Sequence, residues 1–153
     1  MAACTADELL DFAIDREQES HDFYMELAGR SEQPDVRELL TQLAGEELRH
    51  KRKLEEIKSG SRSFPAAKEI GDIEISDYLV DVRPSGELDY QDALILAMKR
   101  EEAAFSLYTH LSKLAADKEL KRIFTALAQE EAKHKLHFET RYKERFLDGE
   151  PKE

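Results

Sequence analysis

The residues that this sequence uses sparingly are the first guide to its fold. Among 153 residues there are six glycines, four prolines, one cysteine and no tryptophan. Because glycine and proline interrupt helices, their scarcity in a chain rich in Ala, Glu, Lys, Leu and Arg predicts a mostly helical structure. The length suits a single domain, residues 1–153, with one hydrophobic core.

The single cysteine, Cys4, leaves no partner for an intramolecular disulfide, which fits a reducing compartment. The N-terminal residues include no basic region followed by an apolar run, so a signal peptide is not expected. No stretch approaches the roughly 20 apolar residues that span a bilayer. We therefore expect a cytoplasmic protein with no membrane segment.

Basic residues are also in deficit. Lys and Arg number 23 against 34 Asp and Glu, which gives a formal net charge of -11. Phosphate backbones and anionic membranes require a positive surface, so neither nucleic acid nor a membrane is an expected partner. An acidic chain favours cations or basic partners instead.

Four segments carry apolar residues at helical spacing. They run from about residue 5 to 30, 34 to 58, 87 to 115 and 118 to 146. Thr5 and Glu8 match a capping box, and Pro34 suits a first helical turn. A connection over about residues 59–88 is long enough to cross the length of a bundle. The sequence predicts an all-α four-helix bundle of two helical hairpins joined by a long crossover connection.

The two hairpins repeat one pattern at a constant offset of 84 residues. The polar residues that match are Glu17 with Glu101, Glu47 with Glu131, and His50 with His134. In each copy, a Glu is followed thirty residues later by Glu-x-x-His. A repeat of this length indicates two copies of one hairpin rather than a solenoid.

The repeated polar residues fall within apolar stripes. Glu47 and His50 are about 60° apart around their helix, on the face that also carries Leu43 and Leu54. The second copy repeats this arrangement. We therefore expect four carboxylates and two imidazoles to converge in the core.

Such a cluster is unfavourable unless something compensates its charge, because each buried charge costs several kcal/mol. Two divalent cations offset four carboxylates, and carboxylate with imidazole suits iron or manganese. A single Glu-x-x-His is usually a solvated pair, but two inward copies favour a metal site. The predicted ligands are Glu17, Glu47, His50, Glu101, Glu131 and His134.

Three further residues are candidates for contacts with those ligands. Tyr24 and Tyr108 are either core residues or hydrogen-bond donors to a ligand carboxylate. His21 follows Glu17 by one turn, and it is either such a neighbour or a polar residue near the bundle end. By contrast, we interpret the glutamates that precede the ligand glutamates, Glu46 and Glu130, as surface charges.

The segment Ala13-Ile14-Asp15-Arg16-Glu17, with Phe23-Tyr24 after it, and both Glu-Glu-x-x-His motifs resemble the rubrerythrin branch of the ferritin-like superfamily. This resemblance implies a ferritin-like fold, a homodimer and two iron ions in non-haem chemistry. It also implies a role for each ligand: Glu47 and Glu131 bridge the irons, Glu17 and Glu101 are terminal ligands, and His50 and His134 each bind one iron.

Two features depart from the resemblance. Full-length rubrerythrins carry a rubredoxin domain with Cys-x-x-Cys pairs, whereas this chain has one cysteine, so reduction requires a separate electron-donor protein such as a rubredoxin. Rubrerythrins also have an additional glutamate ligand. One turn after Glu101, this chain has Ala104 and Phe105.

The leading functional hypothesis is a di-iron oxidoreductase that reduces hydrogen peroxide or dioxygen. One alternative is an iron-handling protein with ferroxidase or storage activity and no peroxidase turnover. Another is a metal-free helical binding module. The residues leave open iron against manganese or a mixed pair, and peroxide against dioxygen.

Overall fold

The computed structural model describes residues 5–60 and 89–147 of the chain. Its α-helices are α1 (Ala6–Arg30), α2 (Pro34–Ser59), α3 (Tyr90–Leu114) and α4 (Lys118–Tyr142), and a π-helical turn, Lys143–Leu147, follows. α1 packs along α2, and α3 packs along α4. The two hairpins form a ferritin-like four-helix bundle, which confirms the predicted fold class.

Local capping interactions set where the helices begin. Glu8 N donates to Thr5 Oγ1 at 3.0 Å and Thr5 N donates to Glu8 Oε1 at 2.9 Å, which is the predicted capping box. Asp89 and Asp117 accept backbone N–H groups at the starts of α3 and α4. Pro34 occupies the first turn of α2.

The buried apolar side chains form two clusters at opposite ends of the bundle. One joins the start of α1, the end of α2, the end of α3 and the start of α4, and it includes Leu9, Leu10, Leu54, Tyr108 and Phe124. The other joins the four remaining helix ends, and it includes Tyr24, Leu39, Leu40, Leu94 and Phe138. The middle of every helix is therefore left between two apolar layers.

This arrangement fixes the topology. The end of α2 lies in the first cluster and the start of α3 in the second, so they are at opposite ends of the bundle. A short turn cannot join them, which agrees with one long connection between two hairpins. Most of that predicted connection, 61–88, lies outside the described residues.

The predicted helix bounds need small corrections. α1 begins one residue later than predicted, α2 ends one residue later, and α3 ends one residue earlier. α4 ends at Tyr142 rather than near 146, because the next residues form a π-helical turn. The predicted start of α3 near 87 lies outside the described ranges, and the helix is seen from Tyr90.

No helix within 5–60 and 89–147 combines the length and the apolar character needed to cross a membrane.

The two clusters predict the cost of core truncation. Leu43→Ala and Leu127→Ala, at equivalent positions of the repeat, each remove a side chain at most 2% exposed. Each should lower the free energy of unfolding by about 2–5 kcal/mol, because it leaves a cavity. Urea denaturation measures this. The control is Leu136→Ala, which truncates a side chain that is 63% exposed and should change stability by less than about 0.5 kcal/mol. Equal effects at Leu127 and Leu136 would contradict this account of the core.

Candidate metal centre

A layer of polar side chains lies between the two apolar clusters. It comprises Glu17, Glu47, His50, Glu101, Glu131 and His134. All except His134 are at most 4% exposed, and the His134 side chain is 23% exposed. Glutamate is almost never buried this deeply without compensation, so the layer requires an explanation beyond packing.

The six residues form two equivalent groups. One consists of Glu17, Glu47 and His50, and the other of Glu101, Glu131 and His134. Within each group, one potential ligand atom from every residue lies within 4.8 Å of the others. The structure thus brings together all six residues predicted from the sequence, in the two half-sites that the repeat indicates.

Contacts between hairpins place the two groups side by side. His50 Nδ1 lies 3.6 Å from Glu17 Oε2 and only 2.9 Å from Glu131 Oε1 of the other hairpin. His134 Nδ1 lies 3.7 Å from Glu101 Oε1. The two imidazole rings are nearly parallel, with centroids 6.2 Å apart. Both Nδ1 atoms therefore face the carboxylates, and the two groups form one centre.

A tyrosine from the second hairpin holds a carboxylate of the first. The Tyr108 hydroxyl donates a hydrogen bond to Glu17 Oε1. Burial and the charge of Glu17 raise the pKa of Tyr108 well above its usual value, so the phenol keeps its proton and can donate. Burial, followed by the charge of Glu101, likewise raises the pKa of Tyr24. The two tyrosines of the repeat thus lie near the glutamates of opposite hairpins.

Many polar atoms of the centre have no hydrogen-bond partner. The buried atoms without one are Glu17 Oε2, Glu47 Oε1, both carboxyl oxygens of Glu101 and of Glu131, both ring nitrogens of His50, and His134 Nδ1. An unsatisfied buried polar group costs about 1–3 kcal/mol. Divalent cations would satisfy these atoms, and oxygen with imidazole nitrogen is a donor set that iron and manganese accept. The residues present therefore fit a two-metal site.

Burial also shifts the protonation of the carboxyl groups. It raises the pKa of Glu101 to about 7, and it raises the pKa of Glu131 to about 8 with the help of the Glu101 charge. Burial and then the charge of Glu131 raise the pKa of Glu47 well above its usual value. Burial raises the pKa of Glu17 too. Without cations, the centre consequently retains carboxyl protons near neutral pH.

The two histidines differ in their ionisation. Burial opposes the charge on His50, but Glu131 and Glu17 outweigh that effect and raise its pKa to about 10. Burial lowers the pKa of His134. The difference follows from the closer carboxylate contact of His50, at 2.9 Å.

His21, the third predicted neighbour of the ligands, has a different environment. Its Nδ1 lies 3.1 Å from Asp22 Oδ1, and the side chain is 24% exposed. It belongs to neither group of ligand atoms. Ala104 and Phe105, at the turn after Glu101, are half-buried and offer no additional carboxylate there.

The interpretation of Glu46 and Glu130 as surface charges misses their contacts. Glu46 Oε2 lies 3.4 Å from His134 Nε2, and Glu130 Oε1 lies 3.6 Å from His50 Nε2. Each contact joins one hairpin to the other, which spacing along a single helix cannot reveal. One feature of the sequence points to these contacts, because the repeat duplicates both glutamates of the Glu-Glu pair.

Fold and site together define a four-helix bundle with buried carboxylate and histidine groups that can bind metal. Comparison with known families identifies the kind of bundle. The model of the family described as Rubrerythrin matches residues 8–74 and 92–153, and the chain belongs to this family.

A solved structure of a hypothetical protein from Pyrococcus furiosus is also similar. The two chains are 26% identical, with a TM-score of 0.59 over 90% of this chain and 87% of the other. No curated protein matches the chain. The match to the Rubrerythrin family confirms the family that was expected from the sequence motifs.

The raised pKa values predict how stability depends on pH. Between the ordinary pKa of glutamate and about pH 8, the folded, metal-free protein binds more protons than the unfolded chain. The raised pKa of His50 extends this pH range toward 10. Stability contributed by these groups is lost as pH rises through their folded pKa values. Thermal unfolding with a chelator should thus give a Tm that falls from pH 6 to pH 9. Added Mn²⁺ should raise Tm more at pH 8.5 than at pH 6, because protons compete with the metal.

Matched glutamine variants locate this effect. Glu131→Gln replaces a buried carboxyl by a neutral group, so it should raise the metal-free Tm at pH 9 by about 2 °C or more and reduce the Mn²⁺ response. Glu139→Gln changes a glutamate that is 47% exposed on the same helix and should leave both unchanged. A Tm that is independent of pH in the wild type would contradict the buried, protonated carboxyls.

Proposed function

We propose that this chain is a non-haem di-iron protein that reduces hydrogen peroxide or dioxygen with electrons from a separate donor. The observation that carries the proposal is the buried layer of carboxylate and imidazole atoms without partners, duplicated in two half-sites. Membership of the Rubrerythrin family supports iron as the metal and redox chemistry as the use.

The chain's own residues would divide between two ions. Glu17, Glu47 and His50 would hold one, and Glu101, Glu131 and His134 the other. The family resemblance implies that Glu47 and Glu131 would be shared between the ions, and that Glu17 and Glu101 would each serve one of them. Four carboxylates balance two divalent ions, and neutral imidazoles add no charge.

A bound ferrous pair supplies two electrons and Lewis acidity for cleavage of an O–O bond. The protein fixes the surroundings of that chemistry. Tyr108 orients the Glu17 carboxylate, and the apolar clusters exclude water from both ends of the centre. Protons held by Glu101 and Glu131 leave when cations bind, so loading is coupled to proton release.

Electrons for repeated turnover require a second redox centre. The sequence has one cysteine, so these 153 residues cannot form a four-cysteine iron site. The proposal therefore includes a donor such as a rubredoxin. It also retains the cytoplasmic location and the homodimer that were expected from the sequence and the family resemblance. Light scattering tests the dimer and distinguishes it from a storage cage.

One observation favours a second candidate function, which is iron handling by ferrous oxidation without peroxidase turnover. The resemblance to rubrerythrins implies an additional glutamate ligand, and at the turn after Glu101 this chain has Ala104 and Phe105. With one carboxylate ligand fewer, the two iron ions would have less negative charge around them to balance the positive charge that they gain on oxidation. Turnover with excess peroxide and reductant separates the two functions, since only the peroxidase consumes many equivalents.

The first test is stopped-flow mixing of the diferrous protein with hydrogen peroxide. We expect oxidation at least about tenfold faster than that of free Fe²⁺, because the site holds both electrons next to one oxidant. Absorbance in the near ultraviolet measures the rate. Oxidation no faster than the free-iron background would contradict the proposal.

Variants assign the rate to the centre. Glu47→Ala and Glu131→Ala should each lower iron stoichiometry and abolish the fast phase. Glu139→Ala, outside both groups, should retain the wild-type rate. A protein that purifies without stoichiometric metal after anaerobic iron supply, and whose spectra do not change in Glu47→Ala, would instead be a metal-free binding module.

A further inference from the structure

Two arginines lie directly beside the carboxylate layer. Arg16 and Arg100 are equivalent positions of the repeat, and they immediately precede Glu17 and Glu101. Burial, followed by the charge of Arg100, lowers the pKa of Arg16, so the two guanidinium groups lie near each other. A cation beside a metal site requires an explanation, because it repels the ions that the site would bind.

Arg100 is held in place by α1 of the opposite hairpin. Its Nη2 donates to Ser20 Oγ at 3.0 Å. Its Cζ lies 4.2 Å from the centroid of the Phe23 ring and 5.3 Å from that of Tyr24, which are distances of cation–π contacts. The guanidinium is therefore fixed between α1 and α3, next to a tyrosine that is itself buried beside the ligands.

The two arginines differ in their ion pairs. Arg16, whose side chain is 18% exposed, pairs with Glu19 one turn further along α1. The repeat places Ala103 at the position equivalent to Glu19, so Arg100 cannot form the same pair. Within residues 5–60 and 89–147, Arg100 has no carboxylate partner, and its buried Nε has no hydrogen-bond acceptor. The positive charge of Arg16 is thus compensated locally, and that of Arg100 is not.

The contacts that hold Arg100 also exist in one copy only. The positions equivalent to Ser20 and Phe23 are Ala104 and Leu107, which offer neither a hydroxyl nor an aromatic ring. Arg16 consequently has no matching contacts to make with α3. The repeat preserves both arginines but changes the residues around them, so the difference between them is written into the sequence.

This difference gives the two groups of ligands unequal surroundings. We refer to Glu17, Glu47 and His50 as the first half-site, and to Glu101, Glu131 and His134 as the second half-site. Near the first half-site, the charges of Arg16 and Glu19 largely cancel. Near the second, the charge of Arg100 remains, and a half-buried charge is only partly screened by solvent.

Two ionisable groups indicate that the charge of Arg100 reaches the second half-site. Burial raises the pKa of Glu101 to about 7, and the charge of Arg100 opposes this rise. Burial and then the charge of Glu101 raise the pKa of Tyr24, and Arg100 opposes that rise too. The other charged neighbour in sequence, Glu102, pairs with Lys135 at 2.8 Å and is half exposed, so it compensates Arg100 little.

We propose that Arg100 is a specificity-determining residue that makes the two half-sites unequal, because its fixed positive charge disfavours highly charged ions in the second half-site. This inference rests on the proposed metal centre. It means that the second half-site discriminates against a trivalent ion more strongly than the first does. In a redox centre, this bias would favour the lower oxidation state in the second half-site.

Titrations with Co²⁺ and with Ga³⁺ test the proposal, since Ga³⁺ is a trivalent ion that undergoes no redox chemistry. Citrate keeps Ga³⁺ soluble and serves as the competing chelator. His50→Ala and His134→Ala backgrounds separate the half-sites, because the first equivalent of metal should bind where the histidine is retained. Affinities for that first equivalent are then compared with and without Arg100→Gln in the full chain.

In the His50→Ala background, which retains the second half-site, Arg100→Gln should raise Co²⁺ affinity about tenfold and Ga³⁺ affinity about thirtyfold. The larger effect on Ga³⁺ follows because the repulsion from a fixed charge is proportional to the charge of the ion. In the His134→Ala background, the gain in Co²⁺ affinity should stay below about threefold. Equal gains for both ions would indicate a change of shape rather than of charge and would overturn the proposal.

Conservative variants separate charge from packing. Arg100→Lys keeps the positive charge and loses the planar guanidinium, so affinities for both ions should remain within about threefold of the parent background. Ala103→Glu leaves Arg100 in place and supplies the ion pair that Arg16 has. It should therefore raise Ga³⁺ affinity more than Co²⁺ affinity, as Arg100→Gln does, and it decides the question if Arg100→Gln does not fold.

The reciprocal variant acts on the first half-site. Glu19→Ala removes the partner of Arg16 and leaves that charge uncompensated. In the His134→Ala background it should lower Ga³⁺ affinity more than Co²⁺ affinity. An unchanged ratio of the two affinities in both Glu19→Ala and Ala103→Glu would overturn the proposal.

The matched control is Lys99→Gln. Lys99 is the neighbour of Arg100 on α3 and carries the same charge, but its side chain is exposed to solvent. Because solvent screens an exposed charge, both affinities should stay within about twofold of the parent background. A Lys99→Gln effect as large as that of Arg100→Gln would contradict a special role for the fixed guanidinium.

Two failures can be told apart. If the centre binds both ions and Arg100→Gln matches Lys99→Gln, the role of Arg100 is wrong and the metal centre stands. If the wild-type chain binds neither Co²⁺ nor Ga³⁺ in this layer, the proposed function fails and this inference fails with it.

Discussion

Four carboxyl groups in the core of a helical bundle repel one another, and this repulsion governs the rest of the structure. The apolar clusters above and below exclude water, so only protons, imidazoles or cations can compensate the charge. In the metal-free chain, burial raises the pKa values of Glu101 and Glu131 to near or above neutrality. Bound protons therefore compensate part of the charge. Metal binding would replace those protons. Stability, pH dependence and function are therefore linked through the same six residues.

The internal repeat explains how the chain builds this centre, and the contacts between hairpins explain why two copies are needed. Tyr108 donates to Glu17 across the hairpins, and Arg100, next to Glu101, donates to Ser20 Oγ at 3.0 Å and stacks on Phe23. The contacts of Glu46 with His134 and of Glu130 with His50 also join one hairpin to the other. Each group of three residues thus has contacts from the opposite hairpin around it.

The sequence alone was sufficient for the helices and the six central residues. Helical spacing and caps are local, and a Glu at an apolar position is informative because burial of a charge is costly. It was insufficient for what depends on how one hairpin sits against the other. The partner of Tyr108 and the contacts of Glu46 and Glu130 depend on side-chain geometry between the hairpins that the repeat does not encode.

The central claim is that the buried layer binds two metal ions, one in each half-site. Crystals of protein loaded anaerobically with Fe²⁺ test it directly, through anomalous diffraction at the iron absorption edge. The account predicts two peaks per chain: one among Glu17, Glu47 and His50, and one among Glu101, Glu131 and His134. Fully loaded crystals with no peak in this layer, or with iron only on surface carboxylates, would contradict it.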